Sequence, residues 1–254
     1  MLLALFSMVC TGFIYGQCFG YPFGIGLILL VFVHELGHAI AAWRMGLRIR
    51  AMVFLPGLAF VSLRDQPRSL LVDSIVGLGG PLLATFAGIG VLVAGLFFSS
   101  GYWSELLIVL AWSTFVINLF NMIPLGPLDG RRISRHFRPW LWVPGCILMV
   151  FLAYLSNDSR SSAHALPMYI LLLGVMHGAN NFCRRRFHTR LLDRLKRKPT
   201  RVWDNTTIPP WQRRIIAWVY FGLAAVLLLL AIFTEGFTPP VDASLAKIKL
   251  FKFF

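Results

Sequence analysis

Residues 23–42 read FGIGLILLVFVHELGHAIAA, and this stretch decides how the rest of the chain is understood. It is apolar enough for a membrane helix, yet it carries His34, Glu35 and His38 together. An ionisable residue at the centre of a membrane helix costs roughly 2.5–3.5 kcal/mol on insertion scales, so three need a reason. Residues four apart share one helical face. Two such histidines with a glutamate after the first form the H-E-x-x-H arrangement that holds a zinc ion beside a general base. Glu35 is rotated by about 100° from His34, which suits proton transfer rather than ligation.

Outward from this helix the composition is that of a membrane protein. Of 254 residues, 57% are hydrophobic and 13% are charged, against about 25% charged in soluble domains. Apolar runs predict seven spans at 2–16, 23–43, 71–98, 103–122, 140–155, 165–183 and 215–233, the first and fifth short for a crossing. The net charge of +14 is distributed by side. Arg44, Arg48, Arg50, Arg64 and Arg68 follow the second span, Arg131, Arg132, Arg135 and Arg138 the fourth, and a dense basic run over 184–214 the sixth. The other side holds only Arg160, Lys247, Lys249 and Lys252. The positive-inside rule then places the N-terminus and the basic loops in the cytoplasm. Topology explains the charge, so nucleic acid is not an expected partner; the basic loop 184–214 suits acidic lipid headgroups.

Cys10, Cys18, Cys146 and Cys183 form no C-x-x-C pair and read as small apolar residues. The first segment lacks a basic start and a small-residue cleavage site, and is expected to be a retained helix. Between Arg48 and Arg64, Pro56-Gly57 is flanked by β-branched and aromatic residues, which predicts a hairpin. It is apolar enough to enter the bilayer where protein covers its backbone. The expected fold is an all-α polytopic membrane protein of about seven transmembrane helices with a small re-entrant β-hairpin near 48–64. It forms a single integral membrane domain, 1–254, around a three-helix core at 23–138.

A catalytic zinc keeps three protein ligands and one open position. His34 and His38 are two candidates. Asp129 is the candidate third: it lies past the fourth span, on the side of His38, after Pro124 and Pro127, which break helices. Asn121 sits near the inner end of that span, placed to donate to a substrate carbonyl or an oxyanion. His177, Asn180 and Asn181 read as interhelical hydrogen-bonding residues, and His136, His164 and His188 as loop residues.

HELGH in one span, Gly79-Gly80-Pro81 in the next, and N-x-x-P-x-x-x-x-D-G from Asn121 to Gly130 together resemble the site-2 protease family, the M50-like intramembrane zinc metalloproteases. The resemblance covers residues 23–138. It implies zinc held by His34, His38 and Asp129, Glu35 as catalytic base, and Asn121 assisting. It implies hydrolysis of peptide bonds in or near transmembrane segments of membrane protein substrates, and a hairpin that offers a strand edge to an unwound substrate. One departure stands out: family members often carry an asparagine shortly after the Gly-Pro, where this chain reads Leu82-Leu83-Ala84-Thr85. A non-proteolytic scaffold or quality-control binder is the alternative, disfavoured by intact Glu35 and ligands. A metal transporter would need a polar path through outer halves that hold almost no ionisable groups. The expected location is a prokaryotic inner membrane, with the site toward the cytoplasm. Oligomeric state and substrate are not legible.

Overall fold

The structure is a computed structural model that describes residues 2–98, 101–124, 128–134 and 209–237. The expected spans at 140–155 and 165–183, the basic loop up to residue 208, and His136, His164, His177, Asn180, Asn181 and His188 lie outside the described residues. Five helices among those described are long and apolar enough to cross a membrane, so this is an integral membrane protein. They are α1 (Leu2–Phe19), α2 (Tyr21–Arg44), α3 (Leu70–Phe97), α4 (Tyr102–Asn121) and, after the short α5 (Asp129–Ser134), α6 (Pro210–Glu235). Each overlaps an expected span closely.

Helix ends follow local chemistry. A single residue, Gly20 at φ +90°, joins α1 to α2, a conformation that glycine adopts freely. Ser69 caps α3 by accepting from the Val72 amide at 3.2 Å. Gly-Gly-Pro does not stop α3, which runs unbroken through Pro81. The glycines instead let α2 and α3 touch backbone to backbone: a Cβ on Gly37 would lie 2.2 Å from the Gly79 carbonyl oxygen. Small residues at such crossings are how membrane helices approach closely.

The expected hairpin is present. Strand β1 (Ile49–Leu55) pairs antiparallel with β2 (Leu58–Leu63), with Leu55 opposite Leu58 and a register irregularity between Ile49 and Ala51. Pro56 and Gly57 form the turn, and Gly57 has φ +77°, as the third residue of a type II turn requires. At its open end Arg48 grips Asp65 through Nε and Nη2, both at 2.9 Å. That contact holds the exposed Asp65 carboxyl down at about 2. The hairpin packs against α1 and α2.

One core cluster joins α3, α4, α5 and α6 through Phe115, Ile133, Tyr220 and Leu227, and a second joins α2 to α4 through Phe23, Leu27, Val109 and Leu110. The last helix, far along the chain, therefore backs the segment that carries Asp129.

Candidate metal centre

His34 and His38 lie one turn apart on the buried face of α2, beside α3. Their outer nitrogens are both engaged. His34 Nδ1 lies 2.7 Å from Asn118 Oδ1. The Asn118 amide donates through Nδ2 to the Thr114 carbonyl at 2.7 Å, which leaves its oxygen to accept from His34. His38 Nδ1 lies 2.7 Å from the Val76 carbonyl, which only accepts. The Gly80 amide is also near that nitrogen, at 3.3 Å, but the shorter carbonyl contact assigns the proton to Nδ1. In neutral imidazoles both Nε2 atoms then carry lone pairs.

Those lone pairs converge. His34 Nε2 and His38 Nε2 are 3.1 Å apart, and Asp129 places Oδ2 3.0 Å from the first and Oδ1 3.1 Å from the second. All three side chains are buried. Three electron-pair donors packed this closely require a shared proton or a metal cation between them. Tetrahedral zinc with bonds of about 2.0–2.1 Å spreads its ligands by roughly 3.3 Å, so the donor set suits zinc with little adjustment. The Glu35 carboxylate also falls within reach of the histidine donors, but the Asp129 oxygens make the closer contacts.

Glu35 is buried, with Oε2 lacking a partner. An unpaired carboxylate oxygen in an apolar interior is costly unless it has a task. Gly80 forms the opposite wall: a Cβ there would stand 2.3 Å from His38 Nε2 and 2.8 Å from His34 Nε2. The second glycine of Gly-Gly-Pro thus leaves the space in front of the two Nε2 atoms open.

Asp129 opens α5, which is clamped to α3 by Arg132 donating to Asp73 Oδ1 from Nε at 3.0 Å and Nη2 at 2.9 Å. Gly130 passes the end of α4 so closely that a Cβ would meet the Met122 carbonyl oxygen at 2.1 Å. That same carbonyl accepts from the Tyr220 hydroxyl of α6. Among the residues expected from sequence, His34, His38, Asp129 and Glu35 come together. Asn121 does not join their hydrogen bonds; it closes α4, half-buried. Asn118, one turn earlier, makes the histidine contact, and sequence reading missed it. Its signal was an amide buried in an apolar span, which demands a partner. The Thr85 hydroxyl donates to the Pro81 carbonyl of its own helix at 2.6 Å, so it does not replace the missing asparagine.

Residues 22–102 match the sequence profile of peptidase family M50. The zinc metalloprotease MJ0392 of Methanocaldococcus jannaschii is 34% identical over 113 residues, 43% of this chain and 32% of that protein. Rip3 of Mycobacterium tuberculosis is 26% identical over 162 residues, 56% of this chain and 39% of Rip3. A Synechocystis protein, sll0528, is 29% identical over 124 residues, 46% of this chain and 32% of its own length. Both are provisionally named as zinc metalloproteases. The chain spans about a third of the length of these curated relatives. The M50 profile takes in His34, Glu35, His38 and Gly80 and ends before Asn118 and Asp129. Asn118 therefore enters on geometry alone, and Asp129 on its sequence motif together with geometry.

Proposed function

We propose that this protein is an intramembrane zinc metalloprotease of the M50 type that hydrolyses peptide bonds in or near transmembrane segments of membrane proteins. One observation carries the reading: three buried donors converge with their lone pairs inward, beside a buried glutamate oxygen that lacks a partner. His34, His38 and Asp129 hold the zinc. The ion, when bound, lowers the pKa of a water to about 7 and polarises the scissile carbonyl.

The chain's own residues do the rest. Asn118 and the Val76 carbonyl keep protons on both Nδ1 atoms, so each Nε2 stays a ligand and each ring stays oriented. Glu35 takes the water's proton on Oε2 and returns it to the leaving amine. Asn121 is offered as a donor to the substrate carbonyl once substrate is in place. A helix must unwind before its backbone is reachable, and strand pairing with the hairpin compensates for its lost hydrogen bonds. The basic loops support a site that faces the cytoplasm, from which water would arrive, and the reading takes the membrane as a prokaryotic inner membrane.

The test uses full-length protein in proteoliposomes with a set of transmembrane reporter substrates. Glu35→Gln is expected to retain zinc near one ion per chain and to lose cleavage by at least about 100-fold. Cleavage that survives Glu35→Gln, or wild type that purifies without zinc under chelator-free conditions, overturns the reading.

A further inference from the structure

The two edges of the hairpin are treated differently, and α1 is the cause. In an antiparallel ladder every second residue pair turns its backbone groups away from the partner strand. Phe54 is such a residue: its amide donates to Ser7 Oγ at 3.2 Å and its carbonyl accepts from Thr11 Oγ1 at 3.0 Å. Its partner Ala59 and, two positions on, Val61 therefore turn their groups outward along β2.

The hydroxyls on this face of α1 are engaged with the hairpin. Ser7 Oγ accepts from Phe54 and donates to the Ala4 carbonyl at 3.1 Å. At the turn, the Gly57 amide donates to the Tyr15 hydroxyl at 2.9 Å. Ser7, Thr11 and Tyr15 recur every four residues, one stripe along α1. Ser7 and Thr11 are buried, whereas Leu2, Phe6, Val9 and Phe13 on the same helix are exposed. Within an apolar helix, the polar stripe coincides with the strand it faces.

We infer that Ser7 and Thr11 are positioning residues that block the β1 edge, so that an extended peptide adds only to β2. The inference rests on the hairpin acting as the substrate's strand partner. Free amide and carbonyl groups away from water are strong binding sites for another strand. An open β1 edge would instead hold a peptide on the α1 side of the hairpin. The hydroxyls match the need: Thr11 supplies a donor to the carbonyl, and Ser7 an acceptor to the amide.

The test is disulfide trapping in the full chain, with the four native cysteines changed to Ser and Glu35→Gln to prevent cleavage. The probe is a single-cysteine Leu/Ala transmembrane peptide with a central Asn-Pro break. Ala59→Cys is expected to trap the peptide and Met52→Cys to trap little. Adding Ser7→Ala and Thr11→Val is expected to raise the Met52→Cys yield at least about threefold. With Glu35 restored, kcat falls more than KM rises, and Thr11→Ser recovers it. Thr11→Val alone, nearly isosteric, carries the same expectation at smaller size should the double variant fail to fold. Trapping at Ala59→Cys that is unchanged by the α1 substitutions, with Met52→Cys still silent, overturns edge blocking and leaves strand pairing standing. No trapping at Ala59→Cys overturns both.

Discussion

The histidine–aspartate cluster and the seam between α1 and the hairpin are both polar islands in apolar helices, and they settle their hydrogen bonds in opposite ways. At the seam, donors and acceptors match one to one: Phe54 with Ser7 and Thr11, Gly57 with Tyr15. The outward groups of Phe54 and the Gly57 amide are satisfied, and the polar groups act as glue. At the cluster, the outer nitrogens of His34 and His38 are matched, but the inner ones face each other and a carboxylate. That excess of electron pairs is what a cation-binding site leaves when its protein partners are counted alone. Burial and polarity do not separate a site from a seam; the donor balance does.

The contrast predicts a hierarchy. Asp129→Ala removes a donor from the unbalanced side, and should lower zinc content from near one ion per chain to about a tenth or less, with activity following. Elemental analysis of protein purified without chelator measures it. A variant that keeps full zinc would mean that Glu35 or another group serves as third ligand. Asn118→Leu tests the balanced side of the same cluster. It frees His34 Nδ1, so the ring loses its orientation and its fixed proton. Zinc affinity should fall about 10–100-fold without abolition, read by competition with a metal-sensitive dye. Asn121→Leu should leave that affinity unchanged, which distinguishes the two asparagines.

The smallest effect is expected outside both islands. Arg48 and Asp65 close the hairpin's open end in an exposed position, and exposed ion pairs contribute little. Asp65→Asn should keep zinc content and shift thermal stability slightly. The acid sign follows from the carboxyl being held near 2, below its unfolded value of about 3.9. The pair's contribution is full above that unfolded value and is lost as pH falls through about 2. Wild type and Asp65→Asn should therefore converge in stability at the acid end.

Much of the fold was legible in the chain itself. Long apolar runs have few ways to satisfy their backbones in lipid other than as helices, so α1, α2, α3, α4 and α6 followed from composition. The hairpin followed from Pro56-Gly57 between β-forming flanks. His34, Glu35 and His38 followed from helical periodicity, because four residues return to one face. What periodicity does not reach is the approach of one helix to another. That His34 takes its second bond from Asn118 rather than Asn121, that Gly80 clears the space before His38, and that Tyr220 holds the Met122 carbonyl beside Asp129 are all decided by packing. The same holds for the α1 stripe. Ser7, Thr11 and Tyr15 read as scattered polar residues until Phe54 and Gly57 are brought against them. Local sequence determines which elements form, because hydrogen bonding within a helix or hairpin is local. Which donor meets which acceptor across elements depends on distances and register that only the assembled molecule sets.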